Sequence, residues 1–214
     1  MHSLLRSGLL AVFLASLGLN GYFLYQQRQS SVPAKILDGD TFQLPDGDRV
    51  RLLGVNAPEI GRCGSAEAKD ELTRLISGKS VRIEEEKRDT YGRRMGLVFV
   101  GQTLVNKSML AAGWARPDYT QNSQSEKLKS AYHDAVDNNR GIHSLCKLVN
   151  PVPENPNCVI KGNIDQSSWD HLYHLPSCRH YDKIVLNLDL GEQFFCTEEE
   201  AKSAGFTLAP DCLR

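Results

Sequence analysis

The order of apolar and polar positions downstream of the amino-terminal segment predicts a series of short β-strands. Two short apolar stretches flank Asp38-Gly39-Asp40, and Val50–Val55 follows as the return strand of a hairpin. The turn of that hairpin, residues 44–48, contains Pro and Gly, which supply the dihedral angles that a turn needs. Two further strands, residues 81–87 and 95–100, flank a second Gly-containing turn. The pattern therefore predicts five short strands.

Apolar residues at helical spacing predict helices between and after these strands. Each predicted helix begins at a capping residue or ends at a glycine. Strands that are interrupted and followed by helices favour a mainly β fold with helices (α+β), in the form of a small closed five-stranded barrel with the helices packed on it. The predicted helices are Ser65–Ser77, Leu104–Ala112, Ser123–Asn138 and a short helix that begins at Thr197.

The amino-terminal segment Ser7–Tyr25 contains no charged residue and nearly has the length needed to span a hydrocarbon core of roughly 30 Å. Its apolar run continues past the small residues around Gly18 and Gly21, where a signal peptidase would cut. We therefore expect residues 1–30 to be a signal anchor, a membrane-spanning helix followed by a polar tether. A cleaved signal peptide is the alternative. The first reading places the protein on the periplasmic or extracellular face of a membrane, and the second makes it a secreted protein.

Cysteine usage supports export. All six cysteines follow the apolar segment, and an even number behind an export signal favours disulfides in an oxidising compartment. Prolines and cysteines then divide the exported region into three parts. Residues 31–148 hold the predicted barrel, residues 149–157 are a Pro-rich linker, and residues 158–214 are a small Cys-containing module.

The charge distribution limits how the chain can hold a polyanion. The net charge is −1, but residues 1–150 carry 20 basic and 16 acidic side chains, whereas residues 151–214 carry 5 and 10. A near-neutral protein cannot hold nucleic acid by bulk positive charge. Individual Lys or Arg side chains at specific positions would have to bind the phosphates. The acidic module is not expected to contact nucleic acid directly.

Three polar clusters follow predicted strands. Asp38-Gly39-Asp40-Thr41 places carboxylates at a strand turn, residues 51–59 carry an Arg, an amide and a carboxylate, and residues 89–93 place a second Arg on a Gly turn. Phosphodiester hydrolysis uses this set of groups. Cations neutralise the charge that develops on the phosphate oxygens, and a carboxylate deprotonates the attacking water.

The blocks ILDGDT, RLLGVNAPE, DTYGR and GIHS, in this order, resemble the staphylococcal nuclease (thermonuclease) family over about residues 32–146. The resemblance implies an OB-fold barrel and a calcium-dependent, sugar-nonspecific endonuclease that hydrolyses the phosphodiester bonds of DNA and RNA. It also implies cleavage of the 5′-side ester, which leaves 3′-phosphate ends. DNA and RNA are then the partners of the protein, apart from a membrane at the amino-terminal helix, and no protein partner is predicted.

The resemblance implies a Ca²⁺ site with one departure from the family pattern. Carried over by position, Asp40 is a calcium ligand and Ala57 offers its backbone carbonyl. Asn56 stands where family members usually have a calcium-binding Asp. An amide oxygen ligates calcium at about 2.4 Å but brings no charge, so we expect a weaker calcium site. Asp38 is expected to bond the turn backbone instead of the metal.

The same resemblance assigns the catalytic groups. Glu59 is the expected general base, and Arg51 and Arg93 are the expected phosphate clamps that stabilise the transition state. Tyr91 and Tyr119 match tyrosines that contact substrate in the family. The alternative functions are a catalytically weakened OB-fold nucleic-acid-binding protein and a surface interaction protein. Retention of Glu59 and both arginines favours the nuclease, because a pure binder gains more from cations and stacking aromatics than from a carboxylate.

The carboxy-terminal module resembles a small domain that is appended to exported nucleases of this family. Six cysteines allow fifteen pairings. We expect Cys63–Cys146 within the nuclease-like domain and Cys158–Cys196 and Cys178–Cys212 within the module. The alternative is a zinc site formed by Cys178, Cys196 and Cys212 with His174 or His180.

Overall fold

The computed structural model describes residues 16, 18, 30–89, 92–118 and 120–212. The expected signal anchor therefore lies almost entirely outside the described residues. Across the part of the chain that is described, no helix is both long and apolar enough to cross a membrane.

Within the described residues, seven strands form the main sheet: β1 (Ser30–Ser31), β2 (Lys35–Ile36), β3 (Thr41–Gln43), β4 (Arg49–Leu52), β5 (Val81–Arg88), β6 (Arg94–Val100) and β7 (Thr103–Leu104). Their order in the sheet is β1-β5-β6-β4-β3-β2, with β7 paired to β6. The pair β4–β6 is parallel, and the other neighbours are antiparallel.

This sheet differs from the closed five-stranded barrel that the sequence predicts. It has seven members, and within the described residues no pairing joins β1 to β2. The extra members are two-residue strands; β1, for example, comes from the tether and pairs with the start of β5. Two residues cannot establish an alternation of apolar and polar positions, so the sequence pattern does not reveal such strands.

Three helices of the described chain pack with this sheet around one apolar core, and a short fourth helix follows them. On the first of them the buried residues are Ala68, Leu72 and Ile76, which are four positions apart and therefore share one face. This face meets Phe42 and Leu52 of the sheet in the core. The helices are α1 (Ser65–Ile76), α2 (Val105–Ala111), α3 (Ser125–Asp137) and α4 (Ile142–Leu145).

Two predicted helix caps are wrong. Helix α1 has Gly64 at its N-cap position, and α3 has Gln124, and neither end has a side-chain capping bond. The capping box predicted at Ser123 does not form, because the Ser123 amide donates to the Glu85 carboxylate at 3.1 Å. A long-range contact has replaced the local one. Thr197, in contrast, caps its helix as predicted by accepting a bond from the Glu200 amide.

The remaining strands among the described residues are β8 (Lys147–Leu148), β9 (Ile160–Ile164), β10 (His171–His174), β11 (Leu186–Asn187), β12 (Gln193–Phe195) and β13 (Thr207–Leu208). The carboxy-terminal module has its own four-stranded sheet, in the order β12-β9-β10-β13, a helix α5 (Glu198–Ser203), and its own small apolar core. Tyr173, Phe195 and Phe206 form the aromatic part of that core.

The module packs directly on the first domain and is not held by the linker alone. Strand β8, which precedes the linker, pairs with β11 of the module. The Leu188 amide donates to the Cys146 carbonyl at 2.9 Å. Arg116 and Asp189 form a buried ion pair across the same boundary, with Nε and Oδ2 2.6 Å apart.

All six cysteines lie in pairs at disulfide distance. Cys63–Cys146 joins the loop before α1 to the end of α4, with the two Cα atoms 5.7 Å apart. Cys158–Cys196 and Cys178–Cys212 lie within the module. These are the three pairs that the sequence analysis favours. Closing a loop of 83 residues, as Cys63–Cys146 does, stabilises the fold by restricting the unfolded chain.

Candidate functional site

The turn between β2 and β3 is held rigidly against α1. The Asp40 amide donates to Asp38 Oδ1 at 3.0 Å, so Asp38 bonds the turn backbone as expected. A Cβ atom on Gly39 would lie 2.5 Å from the Cβ of Ala68 and 2.7 Å from the Cβ of Ala57. Only glycine therefore fits between the two aspartates, and this close approach fixes the direction in which Asp40 points.

Asp40 is the most buried carboxylate of the site, with 3% of the residue exposed. Its Oδ2 accepts a bond from the Ala57 amide at 2.9 Å, and its Oδ1 accepts from the Thr41 hydroxyl at 2.8 Å. Burial raises the pKa of Asp40 to about 6, although the Arg51 charge acts in the opposite direction. The carboxylate is thus held in place, and a nearby cation stabilises its charged form.

Arg51 connects Asp40 to the loop that follows β4. Its Nη1 donates to Asp40 Oδ1 at 2.5 Å, and its Nη2 donates to Asn56 Oδ1 at 2.7 Å. The register of β3 and β4 places Thr41 opposite Arg51, so Asp40, which immediately precedes β3, lies beside Arg51. The structure therefore brings together four of the predicted site residues: Asp40, Arg51, Asn56 and Ala57.

Arg93 lies in the turn before β6, and Asp89 orients it. The Arg93 amide donates to Asp89 Oδ1 at 2.8 Å, and its Nε donates to Asp89 Oδ2 at 2.6 Å. The side chain remains 44% exposed. The register pairs Val50 of β4 with Arg94 of β6, so the turn that carries Arg93 adjoins the strand that carries Arg51. No contact between the two predicted arginines is found among the described residues.

Glu59 is exposed at the end of the loop that follows β4. Its backbone carbonyl accepts a bond from the Arg62 amide at 2.9 Å, which forms a turn before α1. Within the described part of the chain, its carboxylate has no hydrogen-bond or ion-pair partner. Tyr91 and Tyr119, the predicted substrate contacts, lie outside the described residues.

Asn106 supports the site by bonding the backbone beneath it, and the sequence analysis did not identify this residue. This fully buried residue of α2 donates through Nδ2 to the Leu53 carbonyl at 2.8 Å and to the Gly96 carbonyl at 3.1 Å. Its Oδ1 accepts from the Val98 amide at 2.8 Å. The side chain thus holds the end of β4 against β6. A polar residue on an otherwise apolar helix face is a signal in the sequence that would have identified Asn106.

Arg116 supports the site from the side of the module. Its amide and carbonyl exchange hydrogen bonds of 2.9 and 2.8 Å with the backbone of Asn56. Its side chain pairs with Asp189 of the module. Asn56 is therefore fixed by Arg51 through its side chain and by Arg116 through its backbone. No sequence pattern signals the ion pair with Asp189, because the two residues are 73 positions apart.

Comparisons with known proteins converge on one family. Residues 49–144 match a family model described as staphylococcal nuclease homologue. The chain is 32% identical over 121 residues to an "uncharacterized endonuclease" of Escherichia coli O157:H7, a match that covers 55% of this chain and 78% of that protein. It is 34% identical over 93 residues to a micrococcal nuclease of Shigella flexneri (38% and 53% covered). It is 29% identical over 111 residues to a thermonuclease of Staphylococcus hyicus (44% and 66% covered).

Proposed function

The chain belongs to the staphylococcal nuclease family and is a nuclease, and we propose that it cleaves both DNA and RNA with calcium as its metal ion. One observation carries the proposal. The Arg51 guanidinium donates to Asp40 and to Asn56, so a cation, a buried carboxylate and an amide oxygen share one corner of the sheet. Such a corner suits a phosphate group and a divalent cation together.

The donor set fits a hard divalent cation. Asp40, Asn56 and the Ala57 carbonyl offer only oxygen atoms, which calcium and magnesium prefer. Burial disfavours the charged form of Asp40, and a bound cation would offset that cost. The set contains a single carboxylate, so the affinity for calcium should be modest.

In the proposed mechanism these three residues hold the ion, which when bound polarises the phosphate. Asp40 and Asn56 also accept bonds from Arg51, and this fixes the direction of the guanidinium. An arginine whose orientation is set before the reaction loses little entropy when it binds a phosphate. It stabilises the charge that builds on the phosphate oxygens as water attacks.

Glu59 takes the role of general base. Its exposed carboxylate has access to water and lies three residues after Asn56 in the same loop. It accepts one proton from the attacking water as the new phosphorus–oxygen bond forms, while the bond from phosphorus to the 5′-side ester oxygen breaks and that oxygen leaves as a hydroxyl after taking a proton from solvent. Arg93, which Asp89 orients, is the second cation that stabilises the transition state. These are the roles that the sequence analysis assigns to Glu59, Arg51 and Arg93.

We also propose that the protein works in an oxidising compartment outside the cytoplasm. Six cysteines in three pairs at disulfide distance support this location, because such bonds are rare where cellular reductants keep thiols reduced. The apolar segment Ser7–Tyr25 is the proposed export signal. Membrane attachment through that segment would show as retention of the full-length protein in the membrane fraction.

The proposed function is tested by incubating the full-length protein with single-stranded DNA and with RNA, in calcium or in a calcium chelator. We expect both substrates to be cut in calcium and neither to be cut in the chelator. Binding of the substrates without cleavage would support a nucleic-acid-binding protein instead. Absence of both binding and cleavage would leave a surface interaction protein as the better reading.

The role of Asn56 is tested by Asn56→Asp. The added carboxylate should lower the calcium concentration needed for half-maximal cleavage, because each charge strengthens an oxygen-ligand site. Asn157→Asp is a matched control, since this exposed amide lies in the linker, outside the predicted barrel. An unchanged calcium requirement in Asn56→Asp would contradict the proposed metal site.

A further inference from the structure

Arg62 lies on the same turn as Glu59, the proposed general base. The Arg62 amide donates to the Glu59 carbonyl at 2.9 Å, so residues 59–62 form one turn whose end Cα atoms are less than about 7 Å apart. Both side chains are exposed. The Arg62 guanidinium therefore borders the proposed nuclease site, although the mechanism described above gives it no role.

The carboxy-terminal module provides the surface against which this guanidinium lies. A Cβ atom on Gly191 would lie 3.1 Å from Cζ and Nε of Arg62 and 3.2 Å from its Nη2. Because these three atoms are nearly equidistant from one point, that point lies over the flat face of the guanidinium and not at its edge. The face of Arg62 thus packs on the bare backbone of Gly191, and the N–H groups at its edges stay uncovered.

Gly191 is itself held in place by the residue that follows it. The Glu192 residue is 2% exposed, and its carboxylate accepts bonds from the Asn187 amide at 2.6 Å and from the Ile164 amide at 2.9 Å. The first bond closes the short segment that contains Gly191. The second bond ties this segment to β9, in the sheet of the module. The surface under Arg62 is therefore rigid.

The disulfide Cys63–Cys146 holds the backbone next to Arg62 against the same segment. Cys63 follows Arg62 directly, and its sulfur is bonded to that of the fully buried Cys146. The Cys146 carbonyl accepts a bond from the Leu188 amide at 2.9 Å. The orientation of Arg62 is therefore set before a ligand arrives, so the side chain loses little entropy when it binds one.

The donors of this guanidinium are free. Within the described part of the chain, the Arg62 side chain makes no hydrogen bond and no ion pair. The two carboxylates that flank Gly191 in sequence have other partners, because Asp189 pairs with Arg116 and Glu192 accepts backbone amides. An oriented, exposed guanidinium presents up to five N–H donors in a planar fork that matches the oxygens of a phosphate group.

We propose that Arg62 binds a backbone phosphate of the polynucleotide substrate next to the phosphate that is cleaved. The inference rests on the proposed function, in which Arg51 and Arg93 already serve the cleaved phosphate. The module takes part by supplying the surface under Arg62, without any contact between its acidic side chains and nucleic acid. A chain with a net charge of −1 depends on single placed cations of this kind to hold a polyanion.

The test compares two substrates of the full-length protein in calcium. One is a single-stranded thymidine oligonucleotide, and the other is a dinucleoside monophosphate of thymidine, which has no flanking phosphate. Arg62→Gln should raise KM for the oligonucleotide by ~10-fold, the scale of one hydrogen bond to a charged group, and leave cleavage of the dinucleoside unchanged. Arg179→Gln removes the same charge from another exposed arginine and should change neither.

Equilibrium binding of the oligonucleotide in a calcium chelator measures the same contact without cleavage. The association constant falls as salt rises, and the slope of its logarithm against that of the salt concentration counts the phosphates bound. The slope should be smaller in Arg62→Gln than in wild type by about 0.7, the value for one phosphate of a single strand. Arg62→Lys keeps the charge, so it should keep the wild-type slope while it binds less tightly.

Two glycine variants test the part played by the module. Gly191→Ala places a Cβ against Arg62, whereas Gly205→Ala adds one where nothing lies within 4 Å. Both glycines have a φ of 87°, so the backbone strain of the two variants is alike. Gly191→Ala should raise KM for the oligonucleotide, and Gly205→Ala should not. In an Arg62→Gln background, Gly191→Ala should have no further effect on KM.

Equal KM and equal salt slopes in wild type and Arg62→Gln would overturn the proposal. An equal loss on both substrates would also overturn it, because the effect would then not involve a flanking phosphate. An undiminished effect of Gly191→Ala in the Arg62→Gln background would exclude the module from the contact.

These outcomes leave the proposed function intact as long as the wild-type protein cleaves in calcium. Wild-type protein that binds the oligonucleotide without cleaving it would overturn the proposed function alone, and the salt slopes would still decide whether Arg62 contacts a phosphate. Wild-type protein that neither binds nor cleaves would overturn both.

Discussion

Arg51 illustrates how a single side chain organises the proposed nuclease site. Its planar group donates to a carboxylate and to an amide at once. Lysine offers a point charge without that fixed geometry, so Arg51→Lys should lose one of the two bonds. We predict that it lowers the free energy of unfolding by about 1.5–3 kcal/mol, the scale of a hydrogen bond to a charged group. Denaturant unfolding measures this, with the exposed Arg49→Lys on the same strand as the control. Equal stability of the two variants would contradict the prediction.

His143 makes the stability of the fold depend on pH. Burial lowers the pKa of His143 to about 4, and the charge of Arg116 acts in the same direction. The unfolded chain, with an ordinary histidine pKa of about 6.5, therefore binds the proton more readily than the folded chain. The free energy of unfolding should then decrease as the pH falls from about 6.5 towards 4. His143→Gln should show a smaller decrease than wild type in urea unfolding at about pH 7 and about pH 5. Identical decreases would argue against a buried, neutral His143.

At the scale of elements, Asn106 bonds the Leu53 carbonyl just after β4 and the Gly96 carbonyl and Val98 amide of β6, and of these the Gly96 carbonyl also accepts from the Leu53 amide. Replacing it with leucine leaves buried donors and acceptors unpaired, at a cost of about 1–3 kcal/mol for each group. We predict that Asn106→Leu destabilises the protein by about 3 kcal/mol or more and also lowers nuclease activity, because Leu53 begins the loop that carries Asn56 and Glu59. Thermal unfolding and cleavage rates measure the two effects. Asn138→Ala, which removes only exposed hydrogen bonds at the end of α3, should destabilise the protein much less and should leave the cleavage rate unchanged.

The elements that the sequence predicted well are those with several periods of a pattern. Helix α1 shows apolar residues on one face over twelve residues, and its range was predicted to within one residue. The caps of α1 and α3 were wrong because a cap is one residue long, and a distant partner such as Glu85 can outcompete it. The Asp40 cluster followed from motif resemblance. Its bonds through Asn106 and Arg116 did not, because they depend on packing between elements far apart in the chain.

At the scale of the whole molecule, the ion pair of Arg116 and Asp189 joins the module to the nuclease domain. Both side chains are nearly fully buried. Asp189→Asn would leave the Arg116 charge without its carboxylate, and breaking a buried pair in this way costs about 3–5 kcal/mol. We predict such a loss in denaturant unfolding. The exposed Asp182→Asn of the same module is the control and should leave stability unchanged. Since Arg116 also bonds Asn56, Asp189→Asn should raise the calcium requirement of cleavage, and an unaltered requirement would show that the module does not support the site.

The central claim is that Glu59 deprotonates the attacking water at a site built by Asp40 and the two arginines. The most direct measurement is the single-turnover cleavage rate of Glu59→Gln in saturating calcium, beside Glu67→Gln, which changes an exposed glutamate on α1. Glutamine keeps the shape and removes the base, so the rate should fall by at least ~100-fold while substrate binding is retained. Glu67→Gln should cleave at the wild-type rate. A Glu59→Gln protein that cleaves as fast as its control would contradict the account.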